Sequence, residues 1–312
     1  MALPRFDVLG LGCIAVDDLL YVERYPVADT KNPIRRRQRQ GGGLTGTALV
    51  AAARMGVSCQ YAGCLGNDEL SQFIRHRMHE EGIGLEYVKD DENIRPVHSI
   101  IVVDEESHSR TIFFDTEGAI RAADDLPSEE VIRAARVLFV DFWGIPGMIR
   151  AARVALAAGI PVVADFEHFS DSQDQNVAEL VSLANHPIVP LDFARKWTGR
   201  TRPAEVLQSL WSSERQAVVV TCGAEGCWYL GEENPQAPRH QPAFPVTVVD
   251  TTGCGDVFHG VYAAALAQGL DLPARIKWAS AAAALKATAC GGQTGIPQRE
   301  TVEHFLQADE SV

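Results

Sequence analysis

The sequence predicts an α/β fold with a mostly parallel central sheet and a smaller β-sheet appended to it. Three observations carry that reading. First, strand-like apolar runs at Val137–Asp141, Pro161–Asp165, Pro187–Pro190 and Ala217–Cys222 alternate with helical stretches near Met148–Ala158, Val177–Ala184 and Ala204–Trp211. Such alternation implies crossover βαβ units. Second, two apolar helices, Val257–Gln268 and Leu272–Thr288, complete the core. Third, antiparallel strands in segments 18–40 and 97–115 stand outside the βαβ series and read as a small sheet of their own.

Taken in order, Phe6–Leu11 is a first buried strand, and Leu19–Tyr25 and Ile34–Gln40 are further strands around a turn with Pro26, Asp29 and Pro33. Gly41-Gly42-Gly43 interrupts the pattern, and the Ala-rich Thr45–Met55 is helical, stopping at Gly56. Cys59–Gly63 reads as a strand and Asp68–Glu81 as an amphipathic helix. Ser99–Asp104 and Arg110–Asp115 form a hairpin through Glu105–Ser109. The small sheet is expected to cover the C-terminal edge of the main sheet, where ligands of open α/β sheets bind.

The chain has 312 residues, 46% hydrophobic, enough for one large domain. A net charge of −13 argues against a nucleic-acid surface. No apolar run is long enough to span a bilayer and no signal-like start is seen, so neither membrane nor nucleic acid is an expected partner. Seven cysteines without a framework fit a reduced, cytoplasmic protein. Cys59/Cys64 and Cys222/Cys227 read as buried thiols rather than metal ligands.

The most informative stretch is Val248-Val249-Asp250-Thr251-Thr252-Gly253-Cys254-Gly255-Asp256-Val257-Phe258-His259-Gly260. An apolar run, a glycine turn, an acid and an apolar helix place free N–H groups and a carboxylate at one helix start. The N–H groups suit an anion. A carboxylate repels a phosphate, so Asp256 suggests a second task, taking a proton from an attacking hydroxyl. Gly10-Leu11-Gly12-Cys13-Ile14-Ala15 imitates a dinucleotide fingerprint, but the extended text of Val16–Tyr25 denies it the helix that motif requires.

The 248–260 stretch resembles the C-terminal signature of the ribokinase-like sugar kinases, the PfkB family, with Cys254 in place of the usual Ala. Gly41 to Gly46, running into Val50–Gly56, resembles the N-terminal signature. The triple glycine and Gly291-Gly292-Gln293-Thr294-Gly295-Ile296-Pro297 are most similar to the sulfofructose kinases, while Arg24-Tyr25-Pro26 and Ser109-Arg110-Thr111-Ile112 resemble ketohexokinases. At the sulfonate-binding positions Trp143 and Asp115 stand where those kinases carry Arg and Asn, so that substrate is not carried over.

The resemblance implies a single ribokinase-like domain over 1–312, a three-layer α/β/α sandwich with a β-sheet lid, and ATP-dependent phosphorylation of a sugar hydroxyl. It implies Asp256 as general base and the amides of Gly253, Cys254 and Gly255 as an anion hole. Asp17, Gly42, Gly43, Gly46, Asp115 and Trp143 are the substrate-facing positions, and Thr221, Gly223, Gly226 and Ser280 lie beside ATP. Asp250, Thr252 and Gly291 match a monovalent-cation site for K+, and Asp165, Glu167 and Asp192 are candidates for holding Mg2+ through water. Asp17 and Asp18 are adjacent, so one is expected to face solvent, and His259 is expected to pack its helix. Arg35–Arg39 reads as a charged edge strand, or as an anion site through Arg37 or Arg39. A homodimer through the lid is expected, since exposed sheets seek partners. Two other classes fit the same residues: a nucleoside kinase on this fold, with Trp143 or Phe114 stacking a base, and a non-catalytic binder or regulator.

Overall fold

Side chains on the central strands are apolar on both faces because helices cover both faces, which is why these strands read as unbroken apolar runs. The computed structural model describes residues 5–107, 109–118, 122–167 and 175–309; residue 108, inside the expected 105–109 turn, lies outside them. The first part of the chain runs β1 (Phe6–Leu11), β2 (Ala15–Val22), β3 (Arg36–Gly42), α1 (Leu44–Arg54), β4 (Cys59–Tyr61), β5 (Cys64–Leu65), α2 (Glu69–Glu80), β6 (Lys89–Asp90), β7 (Val97–Asp104) and β8 (Ser109–Asp115). The α/β series follows as α3 (Glu129–Arg133), β9 (Ala135–Val140), α4 (Ile145–Ala157), β10 (Val162–Asp165), α5 (Gln175–Leu183), β11 (His186–Pro190), α6 (Leu191–Thr198), α7 (Pro203–Leu210) and β12 (Ala217–Thr221). It closes with β13 (Cys227–Gly231), β14 (Arg239–Gln241), α8 (Cys254–Ala267), α9 (Leu272–Ala287) and α10 (Arg299–Asp309).

The main sheet has the order β14-β13-β12-β11-β10-β9-β1-β4. It is parallel from β12 to β4; β13 alone runs against it, and β14, antiparallel to β13, returns to the common direction. Alternation sorts its residues into two cores. Val137 and Phe139 pack with α1, α8 and α9, while Leu138 and Val140 pack with α4, α5 and α7 on the opposite face. Helices α6 and α10 and strands β13 and β14 were not foreseen from sequence. Helix α6 starts at Leu191, directly after Pro190 of β11, so no turn residues announce it. Helix α10 buries only Val302 and Leu306, too thin a stripe to stand out.

The second sheet has the order β3-β2-β7-β8. The pairs β2–β3 and β7–β8 are antiparallel as expected, but β2 and β7 pair in parallel. The cause is where each hairpin starts. Val97 N donates to Ile14 O at 3.2 Å, so both first strands leave the main body side by side and run outward together. Strand β2 begins four residues earlier than read, because Ala15 to Asp18 already pair with β7. Gly41 and Gly42 stay in β3, and the expected strand after Cys59 breaks into β4 and the separate β5–β6 ribbon.

Helices α1 and α8 cross at Gly260. A Cβ there would overlap the carbonyl oxygen of Ala48. Gly260→Ala should therefore force the helices apart and cost about 1–3 kcal/mol, the usual range for overpacking. Urea unfolding is expected to show a lower midpoint at unchanged slope; an unchanged midpoint would mean that the crossing yields without strain.

Candidate active site

Two glycines in the left-handed region start the two helices that frame the site. Gly253 has φ 76° and caps α8; Gly43 has φ 81° and caps α1. A Cβ on Gly253 would lie 2.9 Å from Gly292 O, and one on Gly43 2.7 Å from Cys13 O, so both positions need glycine for space as well as for torsion. Asp256 sits in the first turn of α8. The N–H of Cys254 donates to Thr251 O at 3.2 Å, so it is partly engaged within the turn. Among the described residues the amides of Gly253 and Gly255 carry no such backbone bond.

Beside α8 lies a cavity of about 860 Å³. Thr221, Gly223, Gly226, Ser280, Cys254 and Gly255 line it together with an apolar set that includes Phe244, Val246, Ala283 and Ala284. All four positions assigned beside ATP thus face one cavity. Gly223 and Gly226 both have positive φ in the turn after β12, and a Cβ on Gly226 would strike the backbone at Gln241.

Near Asp256 also lies Asp17, from β2. It is 8% exposed, and a Cβ on Gly42 would fall on its carboxylate. The two acids are close enough for the charge of Asp17 to raise the pKa of Asp256. Trp143 packs against the cluster of Cys13, Ala15 and Val97, and its backbone N–H donates to Asp141 Oδ1 at 2.7 Å. Asp141 is fully buried and also accepts from Cys13 N at 2.7 Å and Thr45 Oγ1 at 2.9 Å. It ties the starts of β2, α1 and α4 together.

The strand register decides which lid residues face this site. Asp17 lies opposite Ser99, and Ser99 opposite Phe114. The same face carries Leu19, Tyr21 and Ile101, which are buried. Asp115 lies opposite His98, on the face of Asp18, and pairs with Arg95 at 2.8 Å. The structure therefore does not bring Asp115 to Asp17; a one-residue step along a strand changes face. Asp18 is not left to solvent as expected: it accepts from Arg39 at 2.8 Å and contacts His98 Nε2 at 2.9 Å. Arg39 also reaches Glu69, so Arg37 and Arg39 belong to the outer face, whereas Arg36 lies over the Tyr21 ring. Arg110 was not singled out for a role by sequence; it sits opposite Val103 on the inner face and reaches 3.6 Å from Asp250 Oδ1. Gly46 points its missing side chain at Ile14, 2.8 Å away, which explains the small residue and leaves no group to contact a substrate.

Asp165, Glu167 and Asp256 each offer a carboxylate oxygen within 4.8 Å of the others. Asp165 is fully buried and neither of its oxygens has a hydrogen-bond partner. Three converging carboxylates, one of them with both oxygens orphaned, fit a hard divalent cation. Asp192 does not join them; its side chain is 90% exposed and pairs with Arg195 at 3.7 Å. Burial, then the neighbouring charges of Glu167, Asp256 and Asp141, push Asp165 well above the usual carboxylate range. Asp256 moves the same way through burial and then Glu167, Asp141 and Asp17, with Lys286 opposing. Burial also pushes Asp17 and Asp141 up to about 6. His259 packs its helix, its ring nitrogens 2.7 Å from Gly255 O and 2.9 Å from Ile188 O.

The comparisons with known proteins bear on the family and the fold. The chain is 26% identical to a ribokinase of Bacillus subtilis over 308 residues, covering 96% of this chain and 99% of that protein. It is 24% identical to a bifunctional ribokinase/ribose-5-phosphate isomerase A of Fructilactobacillus sanfranciscensis, of whose length it spans 56%. A solved structure from Agrobacterium tumefaciens, assigned provisionally to the ribokinases, superposes with a TM-score of 0.89 at 28% identity, covering 98% of this chain and 99% of that one. The fold is ribokinase-like. Residues 9–299 match the profile described as pfkB family carbohydrate kinase, and the chain belongs to that family of phosphotransferases.

Proposed function

We propose that the protein transfers the γ-phosphoryl group of ATP to a hydroxyl of a sugar or sugar-like acceptor held at Asp17. The observation that carries this reading is the place of Asp256, one residue beyond the cavity-lining Gly255 and within electrostatic reach of Asp17. The apolar wall with Phe244 and Val246 takes the base of the nucleotide, and the turn with Thr221 and Gly223 takes its phosphates. An ionised Asp17 accepts hydrogen bonds from acceptor hydroxyls. The bare backbone of Gly42 and Gly43 lets the acceptor lie close.

In the transfer, the acceptor oxygen forms a bond to the γ-phosphorus as the bond to the β–γ bridging oxygen breaks. The hydroxyl proton passes to the Asp256 carboxylate, and ADP leaves with the bond electrons. Its raised pKa suits Asp256 to this task, because a more basic carboxylate takes the proton more readily. The amides of Gly253 and Gly255, with the α8 dipole, hold the charge on the transferred group. Asp165 and Glu167 would hold Mg2+, which supplies charge neutralisation to the nucleotide phosphates when bound. Ile112 and Phe114, on the inner face of the second sheet, are 45% and 66% exposed. Closure of that sheet as a lid would bury them and exclude water as a competing acceptor.

Two outcomes test the reading. Asp256→Asn should lower turnover by about 10²–10⁴ while ATP still binds. The measurement is ADP release with magnesium and ATP over ketoses, aldoses, polyols and nucleosides; a variant as fast as the parent would exclude Asp256 as base. A response to nucleosides alone would assign the acceptor to that class.

Asp17 should show a trade of stability against binding. Its folded pKa, about 6, lies above its ordinary 3.8. The folded chain therefore holds a proton that the unfolded chain has lost between those values. The stability tied to this group is complete below 3.8 and lost as pH rises through about 6. Asp17→Asn is expected to raise thermal stability at pH 7.5, by about 1–3 kcal/mol, with the gain vanishing near pH 4. In the parent, the acceptor KM should rise as pH falls through about 6. A destabilised variant at neutral pH would contradict the burial argument.

A further inference from the structure

The resemblance to relatives implies a monovalent-cation site at Asp250, Thr252 and Gly291, and the residues present do not fit one. Lys286, in the last turn of α9, has 0% exposure. Its Nζ donates to Asp250 O at 2.8 Å and to Ala289 O at 3.3 Å. Those are backbone carbonyls of the two segments that would have to coordinate the ion. A potassium ion needs such carbonyls in place of its hydration shell. Placed here it would meet oxygens already engaged and a positive charge already present.

We propose that the ammonium of Lys286 is a tethered cation that does the work of a bound K+, and that the protein is independent of monovalent cations. Three further observations support it. The carboxylate of Asp250 accepts from Thr252 N at 2.8 Å, Thr252 Oγ1 at 2.7 Å and Gly291 N at 2.8 Å. The same residue thus holds the α8 turn and the 289–295 loop together, with Lys286 on its carbonyl. Asp250 lies below the usual carboxylate range: burial opposes this, but the Thr252 and Gly291 bonds and the charge of Lys286 outweigh it. The charge of Lys286 is also felt at Cys254 and Asp256, on the first turn of α8. A lysine that only capped its own helix would satisfy α9 carbonyls near solvent. This one is buried and crosses to the residue that leads into the anion-binding turn. Lys286 is a positioning residue: it acts through Asp250 on the geometry and potential of that turn.

The activity arm of the test rests on the kinase reading; the stability arm does not. ADP release and thermal unfolding would be measured in KCl, NaCl and tetramethylammonium chloride at equal ionic strength. The parent should show the same turnover and the same Tm in all three. Lys286→Met, which fills the space without charge, should lose about 10²-fold in turnover in every salt, comparable to loss of one preorganised electrostatic contact. Lys286→Ala, which opens the space, should be as slow in tetramethylammonium but recover most of the loss in KCl. Its Tm should rise by about 2–4 °C in KCl, as a ligand that binds only the folded state requires. Several-fold activation of the parent by K+ would overturn the proposal, as would a Lys286→Met protein of full turnover or a Lys286→Ala protein indifferent to K+ in both rate and Tm. The parent's cation series needs no variant, so a substitution that fails to fold leaves the test standing. If no acceptor is turned over, K+-dependent stability in Lys286→Ala alone would still support the tethered cation while the kinase reading fell.

Discussion

The distance between the two halves of the site is set where α8 lies on α1 without a side chain between them. Gly260 gives up its Cβ to the carbonyl oxygen of Ala48. In the proposed reading the acceptor side hangs on the start of α1, with Gly43, the end of β3 at Gly42 and Asp17 beside it, and the phosphoryl side on the start of α8. Helices packed through ordinary side chains sit 8–10 Å apart. A closer approach at Gly260 narrows the gap between the two helix starts, and an in-line transfer needs that gap to be short and fixed. The left-handed glycines at both starts serve the same end, since each lets a helix begin hard against neighbouring backbone.

Around that gap the chain gathers acids rather than pairing them. Burial raises the pKa values of Asp17, Asp141, Asp165, Glu167 and Asp256, and neighbouring acids of the group raise Asp165 and Asp256 further. No fold benefits from this arrangement for its own sake, because buried carboxylates cost stability unless cations or donors meet them. Asp141 is met fully by three donors and so belongs to the framework. Asp165 accepts no hydrogen bond and has His259 Nδ1 3.4 Å from its Oδ2. The difference sets a framework acid apart from one that, in the proposed reading, would meet a cation.

The α/β body was legible because its signal is local. Strand alternation in Val137–Val140 sends successive residues into different cores, and glycine punctuation marks the start of α8. The signature around Asp256 was legible for the same reason: its chemistry lies within four consecutive residues. What sequence could not supply were relations between distant segments. Asp115 and Phe114 are equally good neighbours on paper, yet register puts Phe114 opposite Ser99 and turns Asp115 outward. The parallel pairing of β2 with β7 depends on where Val97 meets Ile14. Asp165 and Glu167 were named beside Asp192, and only the loop after β10 shows which of them meet Asp256. Lys286 gave no signal, because a lysine near a helix C-terminus is already accounted for by the helix dipole.

The inner face of the second sheet changes how acceptor selectivity should be sought. With Asp115 outside, the groups presented beside Asp17 are Ser99, Phe114 and, toward the phosphate end, Arg110. Arg110 rests near Asp250, the residue whose carbonyl Lys286 holds, so the lid and the anion-binding turn share one acid. An arriving phosphoryl group would offer Arg110 a stronger anion than Asp250, whose oxygens already accept three hydrogen bonds. In the proposed reading, Arg110 and Lys286 would thus meet at one acid, Asp250. On the same reading, selectivity among neutral acceptors would fall instead to the uncharged Ser99, Phe114 and Trp143.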